Sequence, residues 1–92
     1  MQLQFSFIIP VYNRPDEIQE LLQSFTELEG DKDYEIVIVE DGSSIPSKEI
    51  IESFKTKLNI SYFLKENTGP GDSRNHGMKH AKGNYFIILD SD

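Results

Sequence analysis

Ninety-two residues, 37% apolar and 27% charged, suffice for one small soluble domain, residues 1–92, of about four strand–helix units. A net charge of −7 argues against binding a nucleic-acid backbone, which runs on Lys and Arg displacing counterions, and the lack of cysteine excludes a disulfide framework or a thiolate metal site. No apolar run approaches the roughly 20 residues of a membrane span, and the N-terminus lacks the basic-then-apolar build of a secretion signal, so the expected location is the cytoplasm.

Leu3 to Val11 is rich in β-branched and aromatic residues and reads as a first strand, with Pro10 near its end, where a proline breaks no central ladder. After Tyr12, Asn13 as a cap, Pro15 in the first turn and the acids Asp16 and Glu17 start a helix. Its apolar positions Ile18, Leu21, Leu22, Phe25 and Leu28 recur at three- and four-residue spacing, and Gly30-Asp31 is the expected stop. Tyr34 to Val39 is a near-continuous Val/Ile run, a second strand buried on both faces. Glu40 to Ser44 follows as a polar turn, with Glu40 expected to face solvent. Pro46 and Ser47 open a second helix with Ile50, Ile51, Phe54 and Leu58 inward.

Ile60 to Leu64 is a third strand whose Ser61 and following Lys65 suit a sheet edge. Asn67 to Asp72 is a loop, Ser73 to Lys82 a short polar helix, and Gly83 its end. On that helix His76 and His80 stand four apart, a zinc-like spacing without a third ligand, so a solvated or capping role is expected. Tyr85 to Leu89 is an apolar run expected to form a last strand buried on both faces, with Asp90 and Asp92 at its carboxyl end.

Alternating strands and helices imply an α/β doubly wound, mainly parallel four-stranded sheet with flanking helices. In the order 3-2-1-4 the switch point falls between the first and fourth strands, and ligands of such sheets bind at the carboxyl ends of strands. There the chain places Tyr12, Asn13, Asp41, Asn67, Asp90 and Asp92. Two aspartates one residue apart can share a hard cation such as Mn²⁺ or Mg²⁺, which neutralises phosphate. Neither a glycine-rich dinucleotide turn nor a P-loop follows the first strand, which disfavours NAD chemistry and P-loop ATP hydrolysis.

Four blocks then carry a resemblance: Phe7 to Arg14, Ile38 to Ser43, Asn67 to Gly77 and Ile87 to Asp92. In this order and spacing they resemble the N-terminal, nucleotide-sugar-binding part of a family 2 glycosyltransferase of the GT-A, Rossmann-like fold. The resemblance implies that Asp41 binds the base, usually uracil, with Pro10, Tyr12 and Arg74 lining its pocket. It implies that Asp90 touches the ribose and that Asp92 ligates Mn²⁺ or Mg²⁺ against the diphosphate of a UDP-sugar or other nucleotide-diphosphate sugar. Asp72-Ser73 before Arg74 departs from the small residues usual in the family, although Ser73 is small enough to fit.

On this reading the chain is the donor-binding part of an inverting, metal-dependent enzyme of cell-wall or polysaccharide biosynthesis. The full enzyme would use a saccharide or lipid-linked acceptor, with the cytoplasmic face of a membrane as one place for it to act. The catalytic base is expected beyond residue 92, so no catalytic residue is assigned and the 92 residues alone are not expected to turn over. Two other readings stand beside it. In a haloacid-dehalogenase-type phosphatase Asp90 would be the nucleophile, and a receiver-like interaction module would use the acidic crevice for a regulatory ion. The last strand, without a further neighbour, is expected to leave an apolar edge through which the chain self-associates.

Overall fold

A computed structural model of the chain describes residues 3–28 and 33–89. Four parallel strands, β1 (Phe5–Val11), β2 (Tyr34–Asp41), β3 (Ile60–Lys65) and β4 (Tyr85–Ile88), form one sheet in the order β3-β2-β1-β4. Helices α1 (Pro15–Thr26), α2 (Lys48–Phe54) and α3 (Pro70–His80) form the three crossovers. The expected sheet order and strand directions are those observed.

Side chains alternate across a strand, so each strand supplies two faces. Ile9 and Val11 of β1, Ile36 and Ile38 of β2 and Ile60 of β3 meet Ile18, Leu22 and Phe25 of α1 and Ile51 and Phe54 of α2. Each fully buried aliphatic side chain there is worth about 1.5–3 kcal/mol, so this face holds most of the stability. The opposite face offers Ile8, Val37 and Val39 to α3, which brings only Met78 to them, followed by Ala81 just past its end. With so little apolar area, α3 is held by close approach instead: its own Ser73 and Gly77 are buried on the side that meets the sheet, and a Cβ on Gly77 would stand 2.6 Å from Ile8 Cγ2. Beyond α3 a buried carboxylate secures the return to the sheet. Glu35 accepts from Ser6 Oγ at 2.6 Å and from the Lys82 N–H at 2.5 Å, joining β1, β2 and the α3–β4 link.

Several element boundaries differ from expectation. Helix α1 stops at Thr26, so Leu28 is 52% exposed rather than on the inner face; the expected stop at Gly30-Asp31 lies outside the described residues. Strand β2 runs through Glu40 and Asp41, because both continue its ladder to β3. Helix α3 begins at Pro70 rather than Ser73, since proline suits the first turn. Strand β4 is not buried: its four side chains are exposed on both faces. It is the outermost strand beside β1, and α3 lies over β1 and β2 instead. This apolar edge is the arrangement on which the expected self-association rests.

Candidate functional site

In a parallel sheet every strand ends on the same edge, and here that edge gathers the polar residues. Side-chain alternation puts Pro10, two residues after Ile8, and Asp41, two residues after Val39, on the α3 side. Gly77 abuts Ile8 and Val39, so Arg74, one helical turn earlier, is displaced toward the carboxyl-terminal edge. Pro10, Asp41 and Arg74 therefore share one layer, with Pro10 buried and Arg74 half-buried. Tyr12, 51% exposed, stands on the rim just past β1. Asp90 and Asp92 lie outside the described residues. Leu89, which precedes them, donates its N–H to the Ile8 carbonyl at 2.9 Å and so continues the line of β4 beside β1.

Asp41 is the best-defined group at this edge. Register makes it the direct neighbour of Lys65, the last residue of β3, and Lys65 Nζ donates to Asp41 Oδ1 at 2.6 Å. The Thr68 N–H donates to the same oxygen at 2.9 Å and the Gly69 N–H to Oδ2 at 3.0 Å. Burial raises the Asp41 carboxyl, but the Lys65 hydrogen bond, the two backbone donors and the Lys65 charge outweigh it, and its pKa lies below the ordinary value. Asp41 is thus an anion and a pure acceptor at neutral pH.

Gly42 follows with φ +63°, and a Cβ there would meet Asn67 N at 2.6 Å. Only glycine meets both demands at low cost, and it lets the loop after β2 touch the loop after β3.

Asn13 and Glu40 correct the expectations made for them. Asn13 does not cap α1: Arg14 is the cap residue, without a side-chain cap bond. Asn13 has φ +53°, a conformation asparagine tolerates better than most residues. Its N–H donates to Ser43 Oγ at 2.8 Å and its Oδ1 accepts from the Ile45 N–H at 3.0 Å, tying the loop after β1 to the loop after β2. Glu40 is fully buried rather than solvent-facing. It accepts from Ser43 Oγ, from the Ser47 N–H at 2.8 Å and from Tyr62 Oη at 3.0 Å. Burial, then the bond and charge of Glu40, push the Tyr62 phenol far above its ordinary value, so it stays a donor.

Beside Lys65 a groove of about 750 Å³ runs along α3, lined by Thr68, Asp72, Asn75, His76 and Lys79. It includes none of Pro10, Tyr12 or Arg74, so the chemistry of the rim, not the volume of this groove, locates the candidate site. His76 meets the Phe63 ring edge-on at a centroid distance of 5.3 Å, His80 lies tilted against it at 4.4 Å, and His80 Nδ1 lies 2.9 Å from the His76 carbonyl. Burial first, then the charges of His80, Lys65 and Lys79, lower the His76 pKa. Among the described residues no three His, Cys, Asp or Glu side chains gather as a metal site.

Sequence reasoning missed Lys65 and Glu40. The signal for both was the length of β2. Extended by two residues, its period of two turns Glu40 inward after Ile36 and Ile38 and sets Asp41 against Lys65.

Comparison with known proteins places these features. The model of the family described as glycosyl transferase family 2 matches residues 6–92. An uncharacterized glycosyltransferase of Rickettsia felis is 42% identical over 87 residues, which is 95% of this chain and 14% of that protein. The poly(ribitol-phosphate) beta-N-acetylglucosaminyltransferase TarS of Staphylococcus aureus is 37% identical over 93 residues, 98% of this chain and 16% of TarS. The chain thus spans well under a fifth of the length of these curated relatives.

The crystal structure of S. aureus TarS 1–349 superposes with a TM-score of 0.89 at 36% identity, covering 98% of this chain and 28% of that one. The same TarS region has been solved in complex with UDP and with UDP-GlcNAc. The mannosyltransferase PcManGT of Pyrobaculum calidifontis, solved with GDP-Man and Mn²⁺, has a TM-score of 0.88 at 23% identity, over 100% of this chain and 28% of that one, and shares the fold. Sheet order and flanking helices are those of the N-terminal part of the GT-A fold.

Proposed function

Because this chain belongs to glycosyl transferase family 2, we propose that it is the donor-binding part of a glycosyltransferase whose donor is a nucleoside-diphosphate sugar, with uracil as the base. The observation that carries this reading is the Asp41 carboxylate, held ionised by Lys65 and two backbone N–H groups at the carboxyl edge of the sheet. Such an anion accepts the imide N–H of uracil, while Pro10 offers an apolar wall and Tyr12 a ring at the rim. TarS, solved with UDP and UDP-GlcNAc, supports the choice of base.

Asp90 and Asp92 would hold the ribose and a divalent cation respectively. The Asp92 carboxylate is a hard oxygen donor and suits Mn²⁺ or Mg²⁺, and a protein of the same fold was solved with Mn²⁺. When bound, the ion would offset the negative charge of the diphosphate as it leaves. In the inverting reaction we propose for the whole enzyme, an acceptor hydroxyl oxygen bonds to the anomeric carbon and the bond from that carbon to the diphosphate oxygen breaks. The hydroxyl proton passes to a general base outside these 92 residues. The phosphatase alternative wants its Asp-x-Asp after the first strand of its domain, whereas here the motif follows β4, the fourth.

Calorimetric titration with UDP, GDP and CDP, each with and without Mn²⁺, tests the proposal. UDP is expected to bind with Mn²⁺ strengthening it, and CDP to bind roughly 10–100-fold more weakly, the worth of one hydrogen bond to a charged group. No binding of any of the three in the presence of Mn²⁺ would contradict it.

A further inference from the structure

So far Lys65 serves only to keep Asp41 ionised, and its surroundings give it a more specific task. An ammonium group has three N–H donors. Here they meet Asp41 Oδ1, the Glu66 carbonyl at 2.8 Å and Thr68 Oγ1. With all three engaged, Lys65 has no donor left for a ligand. It braces the start of the β3–α3 loop against the end of β2, with its side chain only 14% exposed.

The brace also decides what Asp41 has left to offer. A carboxylate has about four acceptor positions. Lys65 and Thr68 occupy both on Oδ1, and Gly69 occupies one on Oδ2. Among the described residues the fourth position, on Oδ2, has no partner. A carboxylate pinned by three donors cannot rotate, so this one acceptor position is fixed in space.

We infer that Lys65 is a positioning residue for base selection: by pinning Asp41 it leaves one fixed acceptor that admits a base with a ring N–H and rejects one with a ring nitrogen lone pair. Uracil carries an N–H at N3, and cytosine carries a lone pair there. Without the brace the carboxylate can turn to accept from the exocyclic amine of cytosine, and discrimination falls. This rests on the proposal that Asp41 reads the base.

The test compares UDP and CDP affinities, with Mn²⁺, in the full chain and three variants. The expected CDP/UDP ratio of dissociation constants is roughly 10–100 in the wild type and falls to within about threefold of unity in Lys65→Met. Lys65→Ala, which removes the donor to Oδ1 without placing an apolar side chain against the carboxylate, is expected to lower the ratio as well, and it serves if Lys65→Met fails to fold by circular dichroism. Lys79→Met removes the same charge from the neighbouring groove without touching Asp41, and its ratio is expected to match the wild type. A merely structural role for Lys65 would weaken both nucleotides equally and leave the ratio unchanged, and that result in a folded Lys65 variant overturns the inference alone. A wild type that binds neither nucleotide overturns the underlying proposal and this inference with it.

Discussion

Replacing Asp41 with alanine is expected to lower stability by about 3 kcal/mol, the lower end of the cost of removing one partner from a buried ion pair. The lower end applies because Lys65 keeps the Glu66 carbonyl and Thr68 Oγ1. The Thr68 and Gly69 N–H groups lose their acceptor as well. For a domain of this size that corresponds to a fall in Tm of roughly 12–24 °C. UDP affinity is expected to fall by at least about 100-fold, since the acceptor for the base and the order of the loop disappear together. Thermal melts and UDP titration of the variant check both.

Asp41→Asn adds a pH readout. The folded-state pKa of Asp41 lies below its ordinary value of 3.8. Its stabilising contribution is therefore complete above the unfolded value and is lost as pH falls through the folded one. The stability difference between wild type and Asp41→Asn should be constant from about pH 5 to 8 and shrink only below about pH 4. A difference that shrinks between pH 6 and 8 would mean that the carboxyl is not held ionised.

Glu40→Ala is the second large effect. Glu40 is fully buried and is the shared acceptor of the Ser43 hydroxyl, the Ser47 N–H and the Tyr62 hydroxyl. Its removal leaves these donors facing a cavity, at about 1–3 kcal/mol for each that finds no water. A loss of about 3 kcal/mol or more is expected, seen as a lower midpoint in urea with little change in slope. Ser43 also holds the Asn13 N–H, so UDP affinity should fall although Glu40 sits on the face of the sheet opposite Asp41. A variant as stable as the wild type would show that the three donors find other acceptors.

The fold was legible because pattern and topology agree along most of the chain. The Val/Ile runs of β1 and β2 and the helical spacing of Ile18, Leu22 and Phe25 each have one compact solution, and handed crossovers then limit the sheet order. The polar edge was legible in kind, since Asp41, Asn67 and Asn13 all follow apolar runs. What the residues on that edge do to one another was not. Whether Glu40 faces water or Tyr62 depends on two residues of strand length, and the Asp41–Lys65 pair depends on the register between β2 and β3. Strand β4 reads like a central strand because its side chains are apolar, but composition does not say what covers a strand, and here all four residues are exposed.

That Asp41, Thr68 and Gly69 form the floor of a nucleotide site is tested most directly by following backbone amide resonances while UDP and Mg²⁺ are added. The account predicts that the largest shifts fall on Thr68 and Gly69, whose N–H groups point at Asp41, and on Tyr12 and Asn13 at the neighbouring rim. Gln4 and Asn84, joined at the opposite edge of the sheet, should stay where they are. Saturable shifts confined to that opposite edge, with Thr68 and Gly69 unmoved, would contradict it.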